Sequence, residues 1–577
     1  MRVAAPALVV LLTLAAFWPA LDGQFVNWDD DKNFLSNPHF RGLDPASLRW
    51  MFTSAHLGHY HPLTWITHAA DYALWGLDPA GYHLTNLLLH AANAVLFYLV
   101  ALRLLGPSPF PAALAALLFA VHPLRVESVA WATERRDVLA GLFFLLSVLA
   151  YLRGRRSLSL GVFAAALLSK AIVVSLPVVL LALDIFPLRR FGRRAILEKA
   201  PWFLLAAIAS VVTLAVQPAG VGGFAEHAAT LPGLRIGLSL YGLTFYLWKT
   251  LVPVGLYPQY VLPADVSPSD PRILLAGLAV AALTGMAWLW RRRFPALLPV
   301  WICCVAGLLP VLSLFRVDTQ QFAADHHTYL ATMGIALVGA WALAALPAPA
   351  ALPIAAAVVL VLAALTHRQT GVWRDSIRLW TYTLEGAPDS VVAHNNLGEA
   401  LAEAGRLPEA AVHFAQAVRI RPRYAQAHYN LGQALQKQGR FEDSVESLRR
   451  AFEIDPRFTG SLADAHYNFA NVLQGRRDFT AAIAQYEEAL RHNPALADAH
   501  NNWGVALEAV SRSADAATHY RQALALNPRN ADAHNNLGLS LEAAGNAAEA
   551  VAHYREALRS NPTHRDAARN LARHTGR

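Results

Sequence analysis

Charged residues are scarce in this chain of 577 residues. Asp, Glu, Lys and Arg make up only 15% of it, whereas an average soluble domain contains about 25%. Apolar residues make up 55% and the mean hydropathy is +0.32, which together exclude an ordinary soluble protein. The shortage of charge falls in residues 1–366, whereas residues 374–577 have the composition of soluble helices. The sequence therefore predicts two parts, one in lipid and one in water.

Cysteine is almost absent. The two cysteines, Cys303 and Cys304, are adjacent within an apolar run. Adjacent cysteines cannot staple a fold, and two thiols alone do not form a metal site. We interpret both as part of a membrane helix and identify no firm metal-binding motif. The sequence does not determine whether the protein uses a divalent cation as a cofactor.

Positive charge is concentrated beside the apolar runs. The net charge is +8, and much of it lies in three clusters, Arg153–Arg156, Arg189–Arg194 and Arg291–Arg293. Basic clusters that flank apolar segments mark the cytoplasmic side of membrane helices. This explains the charge better than nucleic-acid binding does, so we predict an integral membrane protein without a nucleic-acid partner.

A membrane helix needs about 20 apolar residues, and we predict eleven spans, several of them short. They are 4–21, 84–104, 110–122, 138–152, 158–169, 171–187, 201–217, 272–290, 294–314, 328–346 and 352–366. The apolar segment 235–252 contains Lys249, and we interpret it as interfacial or re-entrant.

The basic clusters orient this arrangement. With the clusters on the inside, residues 22–83, 123–137 and 316–327 lie outside, as does the chain after residue 366. The first span fits an uncleaved anchor better than a cleaved signal peptide. We favour the inner membrane of a bacterium, with the C-terminal part in the periplasm.

The first outer loop, 22–83, begins with a run of three carboxylates, Asp29, Asp30 and Asp31. Neighbouring carboxylates repel one another, so at least one should have a raised pKa or a cation partner. A carboxylate facing a polar cavity at the membrane surface can act as a general base. The alternatives are a solvated acidic turn or a helix N-cap before Lys32.

Further charged candidates lie in and beside the other outer loops. They are Glu127, Arg136, Asp137, Lys170, Asp325 and His326. Charges of both signs suit an anionic lipid phosphate held by arginine, and salt bridging at the interface is the alternative. Lys170 lies between two short apolar runs and should face a cavity or a phosphate rather than lipid. Adjacent histidines such as His326 and His327 are only a weak metal signal.

The C-terminal part repeats itself. Prolines recur at intervals of 34, 34, 38, 34 and 34 residues, at Pro388, Pro422, Pro456, Pro494, Pro528 and Pro562. This period, with small residues where helices cross, is the tetratricopeptide signature. We predict an all-α fold: a polytopic membrane domain over 1–366, a half repeat over 367–390, five repeats over 391–562 and a capping helix over 563–577.

Each repeat places an asparagine before its Leu-Gly-like pair. These residues are Asn396, Asn430, Asn468, Asn502 and Asn536. Stacked repeats should align them as a ladder, and an amide can pair with both backbone groups of an extended peptide. The alternative is that they satisfy groups of neighbouring helices. Five histidines, also one repeat apart, occupy a packing position, so we do not assign them to a metal.

The order of these motifs resembles one known family. An acidic pair after the first span is followed by Tyr60-His61-Pro62-Leu63-Thr64, Gly81-Tyr82-His83-Leu84, His122-Pro123 and tetratricopeptide repeats. This order is similar to the transmembrane-and-tetratricopeptide-repeat O-mannosyltransferases and their bacterial relatives. Those enzymes belong to the GT-C class, so the resemblance implies a GT-C-like membrane domain. It also implies transfer of a sugar from a polyprenyl phosphate to a protein acceptor at the outer face.

The resemblance assigns roles by position. Asp29 and Asp30 match the acidic pair, and Glu127 and Asp137 match acidic positions of the second loop. Two departures are His326 and His61, which stand where relatives carry arginine. A non-enzymatic scaffold for an envelope complex and a transporter of lipid-linked sugar are the rival interpretations.

Overall fold

The computed structural model describes residues 4–216, 232–262, 266–314 and 321–576. It divides into two compact units, Met1–Ala393 and His394–Arg577. The described residues are mainly helical, and the β-structure among them is limited to one bridge between Tyr260 and Ala323. The predicted all-α class is therefore confirmed.

Apolar helices joined by short segments build the first unit. Its helices of eight residues or more are Ala4–Phe17, Pro45–Thr53, Pro62–Trp75, Pro79–Leu104, Pro109–Ala120, Arg135–Leu152, Arg156–Ser169, Leu176–Ile185, Ala200–Val216, Pro232–Leu251, Pro271–Leu289, Leu297–Leu308, Met333–Ala344, Ala348–Thr370 and Ser376–Gly386. Leucine, valine and alanine dominate the longest of them, which therefore expose apolar side chains suited to lipid.

Among the described residues, four helical segments are long and apolar enough to cross a membrane. They are Ala4–Asp22, Pro79–Leu104, Pro271–Arg292 and Ala348–Arg374, and two bent helix pairs raise the number to six. The chain is thus a membrane protein. Our predicted eleven spans include shorter apolar helices, so that number stays a prediction. The last residue of the predicted span 201–217, and residues 316–320 of the third outer loop, lie outside the described residues.

The two bent pairs carry predicted site residues, namely Glu127, Asp325 and His326. Pro109–Ala120 and Pro123–Ala130 meet at 58°, and Asp325–Ala331 and Met333–Ala344 meet at 63°. Pro123 cannot continue the first helix because it lacks an N–H. Backbone groups freed inside a membrane must find new partners. His90 Nε2 lies 2.9 Å from the carbonyl oxygen of Ala120, and Thr366 donates to that of Val121.

The first outer loop has an aromatic core of its own. Phe34, Phe40, Trp65 and Tyr82 are fully buried and lie in one cluster together with Met51. This cluster packs the short helices of the loop against the beginning of Pro79–Leu104. The acidic run is therefore attached to a folded element rather than to a solvated linker.

The second unit consists of paired helices at the predicted period. With the helix that leads into it, its helices are Val391–Glu403, Leu407–Ile420, Ala425–Lys437, Phe441–Ile454, Thr459–Gly475, Phe479–His492, Ala497–Ala509, Ser513–Leu526, Ala531–Ala543, Ala547–Ser560 and Arg565–Thr575. The glycine of each Leu-Gly pair allows close packing within a pair. A Cβ at Gly504 would lie 2.4 Å from the ring of Tyr520, and one at Gly538 would lie 2.5 Å from that of Tyr554.

This packing predicts that a valine destabilises the protein at one helical glycine and is tolerated at another. Gly504→Val should lower the free energy of unfolding by about 2 kcal/mol, because the new side chain would overlap Tyr520. Gly460→Val is the matched control, since a Cβ there meets nothing within 4 Å, and its effect should stay within about 0.5 kcal/mol. Thermal unfolding of the full chain in detergent, read by tryptic cleavage within residues 394–576, measures both. Equal stability of the two variants would contradict the packing argument.

Candidate active site

The two aspartates of the predicted pair have different environments. Asp30 is fully buried and accepts hydrogen bonds from the N–H of Val26 (3.0 Å), from the N–H of Thr133 (3.0 Å) and from the Thr133 hydroxyl (2.6 Å). Burial raises the pKa of Asp30 to about 7, against the opposing effect of these bonds. Asp30 therefore anchors the first outer loop to Thr133.

Asp29 is the accessible member of the pair. Its side chain is 32% exposed, and its carboxylate lies 3.7 Å from Lys32 Nζ. Its backbone has a φ of +70°, in the left-handed region that non-glycine residues seldom adopt. The N–H of Asn33 donates to its carbonyl oxygen at 2.8 Å, so the run begins a short helical turn. Strain of this kind concentrates at functional sites.

A buried ion network lies beside the start of helix Arg135–Leu152. Arg136 Nε donates to Glu134 at 2.9 Å, and Lys170 Nζ lies 2.6 Å from Glu134 and 2.8 Å from Asp137. Burial alone would raise the pKa of Glu134, but Arg136 and Lys170 outweigh it and hold that pKa well below its usual range. The charge of Asp29 also acts on Arg136. The structure thus brings the predicted residues Arg136, Asp137 and Lys170 together around Glu134, which was not among the predicted site residues.

The third outer loop joins this network through His326. Its Nδ1 lies 3.0 Å from a carboxylate oxygen of Glu127, and its backbone N–H donates to the other oxygen at 2.9 Å. Its Nε2 lies 4.0 Å from Glu134. Asp325 points elsewhere, since its carboxylate accepts a hydrogen bond from the Tyr260 hydroxyl at 2.9 Å. A protonated His326 would therefore be flanked by two carboxylates.

One group of side chains has the composition of a metal site. Donor atoms of Glu134, Asp137 and His326 lie within 4.8 Å of one another. Lys170, however, already pairs with both carboxylates. A divalent ion would have to displace its ammonium group, so these residues as arranged do not fit a resident metal.

His61 lies near the same network but contributes an aromatic surface. Its ring stacks on Trp65 with centroids 5.3 Å apart. Burial, together with the charge of Arg136, lowers the pKa of His61 well below its ordinary value. The ring is therefore neutral at pH 7 and does not supply the positive charge of an arginine.

Two buried arginines of the site region were missed by sequence reasoning. Arg125 donates to Thr332 and Thr328, and Arg135 pairs with Asp71. Both arginines are fully or almost fully buried. For Arg135 the available signal was Asp71, the single carboxylate of helix Pro62–Trp75, because a buried carboxylate needs a partner.

An apolar cavity of about 510 Å³ runs between the membrane helices. Its lining is mainly aromatic and aliphatic, and it includes Phe97, Phe144, Trp290 and Trp341. At one end it is lined by Ser175, Gly307 and Leu330. Those same three residues line a small space bounded by Asp137, His326 and His327. The cavity therefore adjoins the charged network.

Asn430, Asn502 and Asn536 of the ladder donate hydrogen bonds to the preceding repeat. Asn430 donates to Asn395 at 2.9 Å and to Glu399 at 2.7 Å, and Asn536 donates to Asn501 at 3.1 Å. Asn502 likewise donates to the preceding repeat. The asparagine side chains are half-buried. These bonds give the ladder a structural role, and its role in peptide binding stays a prediction.

These observations define the class of protein: a polytopic membrane protein with buried charges beside an apolar cavity, followed by helical repeats. Family models described as tetratricopeptide repeat match residues 423–495 and 501–565, and one described as TPR repeat matches 398–439. The repeat prediction is therefore confirmed.

Curated relatives across most of the chain are named protein O-mannosyl-transferases. F38B6.6 of Caenorhabditis elegans is 24% identical over 457 residues, which cover 73% of this chain and 63% of the relative. TMTC1 of Homo sapiens is 26% identical over 494 residues, which cover 73% and 55%. The chain thus spans less than two thirds of the length of these relatives.

Two solved structures are similar to part of the chain. A tetratricopeptide-repeat protein, YrrB, is 18% identical and covers 33% of this chain and 96% of its own length, with a TM-score of 0.28. A crystal structure of MamA is 22% identical and covers 29% and 95%, with a TM-score of 0.25.

Proposed function

We propose that this protein transfers a mannose-like sugar from a polyprenyl-phosphate donor to a protein acceptor. The observation that carries the proposal is the apolar cavity that adjoins the network of Lys170, Glu134, Asp137 and His326. A lipid with an apolar tail and a phosphate head needs such a junction of apolar and charged surface. The named activity of the relatives supports the reaction class.

Asp29 acts as the general base in this proposal. Its carboxylate takes the proton from a serine or threonine hydroxyl of the acceptor, and the hydroxyl oxygen forms a bond to the anomeric carbon of the sugar. The bond between that carbon and the phosphate oxygen breaks, and polyprenyl phosphate leaves. Lys170, Arg136 and His326 provide positive charge for the phosphate, and Asp30 holds the loop in place.

The repeats present the acceptor. The ladder of Asn396, Asn430, Asn468, Asn502 and Asn536 binds extended polypeptide through amide groups, and tethering it to the same chain raises its local concentration at the membrane site. The site and the repeats lie on the extracytoplasmic side, in a bacterium the periplasmic side of the inner membrane. The basic clusters support this orientation.

The first prediction separates the two aspartates. Asp29→Asn should lower the rate of sugar transfer by about 100-fold or more, because it removes the base. Asp30→Asn should lower the rate less and the thermal stability more, because it alters a buried anchor. Transfer is measured in detergent from polyprenyl-phosphate mannose to a peptide acceptor, with the exposed Asp389→Asn as control. A double variant within twofold of wild type would refute the proposal and favour a scaffold.

The second prediction concerns orientation. In a variant with Cys303 and Cys304 replaced by alanine, Asp464→Cys should react with an impermeant thiol reagent once the outer barrier is opened. Arg292→Cys, in a basic cluster, should react only after the inner membrane is lysed. Both positions are exposed. The reverse labelling pattern would place the repeats in the cytoplasm.

The third prediction tests the ladder. Alanine at Asn430, Asn468 and Asn502 should weaken use of a full-length acceptor at least fivefold and spare hydrolysis of the donor. The matched control is alanine at Asn395 and Asn501, which removes acceptors of the bonds between repeats but retains the ladder amides. If the control lowers acceptor use as much as the triple variant, the ladder is only structural.

A further inference from the structure

The helix Ser376–Gly386, which we call the junction helix, packs against the residues that precede Asp29. Both belong to the first unit. The ring of Trp380 stacks on that of Trp28, with centroids 4.8 Å apart and planes 28° apart. Trp380 is fully buried, so this contact removes a large apolar surface from water.

A second pair of tryptophans continues the stack. Trp373, in the turn before the junction helix, lies 5.6 Å from Trp131 at an angle of 27°, and Trp131 lies 5.5 Å from Trp28. The Trp131 indole N–H donates to the carbonyl oxygen of Trp28 at 2.9 Å. Trp28 is thus held on its ring and on its backbone.

Polar contacts fix the neighbouring residue. The indole N–H of Trp380 donates to the side-chain oxygen of Asn27 at 2.6 Å, and the backbone N–H of Asn27 donates to the Ser376 hydroxyl at 2.9 Å. In the same segment, the N–H of Gln24 donates to the carbonyl oxygen of Arg374 at 2.8 Å. The junction helix therefore forms hydrogen bonds with both the side chain and the backbone of Asn27.

Asp29 needs such support because its backbone conformation is unfavourable. A non-glycine residue with a φ of +70° is held in an unfavourable conformation, which persists only when its surroundings impose it. After Asp29, the anchoring of Asp30 to Thr133 fixes the chain. Before Asp29, the contacts of Asn27 and Trp28 are the corresponding constraint.

We propose that Ser376 and Trp380 are positioning residues that hold Asp29 in its reactive conformation through Asn27. The segment after the last apolar helix is then part of the transferase site rather than a spacer that leads to the repeats. This inference rests on the proposed role of Asp29 and extends it to residues almost 350 positions away in the chain.

Three variants and one control test this inference by kinetics. Ser376→Ala removes the hydroxyl that accepts from Asn27, while Asp375 remains as the N-cap of the junction helix. Trp380→Phe removes the indole donor and keeps an aromatic ring. Ser376→Thr restores a hydroxyl. Trp202→Phe is the control, because Trp202 is equally buried and its indole N–H has no hydrogen-bond partner among the described residues.

We expect kcat to fall at least fivefold in Ser376→Ala and Trp380→Phe, while KM for the lipid donor stays within twofold. Ser376→Thr and Trp202→Phe should stay within twofold of wild type in kcat. In an Asp29→Asn background, Ser376→Ala and Trp380→Phe should lower the residual rate by less than twofold, because they act through Asp29. Loss of rate that is independent of Asp29 would overturn the inference and indicate a general structural role.

Hydrogen exchange gives a readout that does not need turnover. Amides of residues 26–33 should exchange at least tenfold faster in Ser376→Ala and Trp380→Phe than in wild type, and those of residues 138–152 should not change. Unchanged exchange in 26–33 would overturn the inference. A wild-type protein that transfers no sugar would refute the proposed function instead, whereas active variants beside an active wild type would refute only the positioning role.

Discussion

One constraint governs the site: a charged group that is buried needs a partner of opposite charge. An ammonium or carboxylate group taken out of water alone costs several kcal/mol. Lys170 meets this constraint by pairing with Glu134 and Asp137 at once. Lys170 follows helix Arg156–Ser169 and Glu134 precedes helix Arg135–Leu152, so these ion pairs fix the two helices at one end. Loss of the Lys170 charge would leave Asp137 without its ion-pair partner, whereas Glu134 would keep Arg136.

The same constraint has a different outcome in a second buried cluster. Asp184 accepts from the Tyr151 hydroxyl at 2.7 Å and pairs with Lys199 at 2.7 Å and with Arg190 at 2.8 Å. Both oxygens of this carboxylate are directed at neighbouring side chains. We therefore interpret this cluster as structural.

Periodicity explains which parts were predictable from sequence. The repeats follow from a 34-residue spacing, and the apolar helices follow from composition, because both signals are local. The bend between Ala331 and Met333 interrupts the predicted span 328–346, and the sequence does not reveal it because no proline lies at the break. The hydrogen-bond partners of the site residues could not be predicted either. Thr133 donates to Asp30 across about a hundred residues, and the sequence around each residue does not specify that pairing. The run of aspartates identified the loop but could not tell its buried member from its accessible one.

The left-handed backbone at Asp29 has a genetic consequence. Among the non-glycine residues, asparagine and aspartate adopt this conformation at the least cost, and of the two only aspartate has a carboxylate. The codons of aspartate and asparagine differ by one transition at the first base. A single mutation could therefore yield a chain that keeps its fold, its membrane helices and its repeats while it loses the proposed base. Inactive descendants that survive as binding proteins would thus be readily accessible to evolution, and the identity of this one residue would distinguish them.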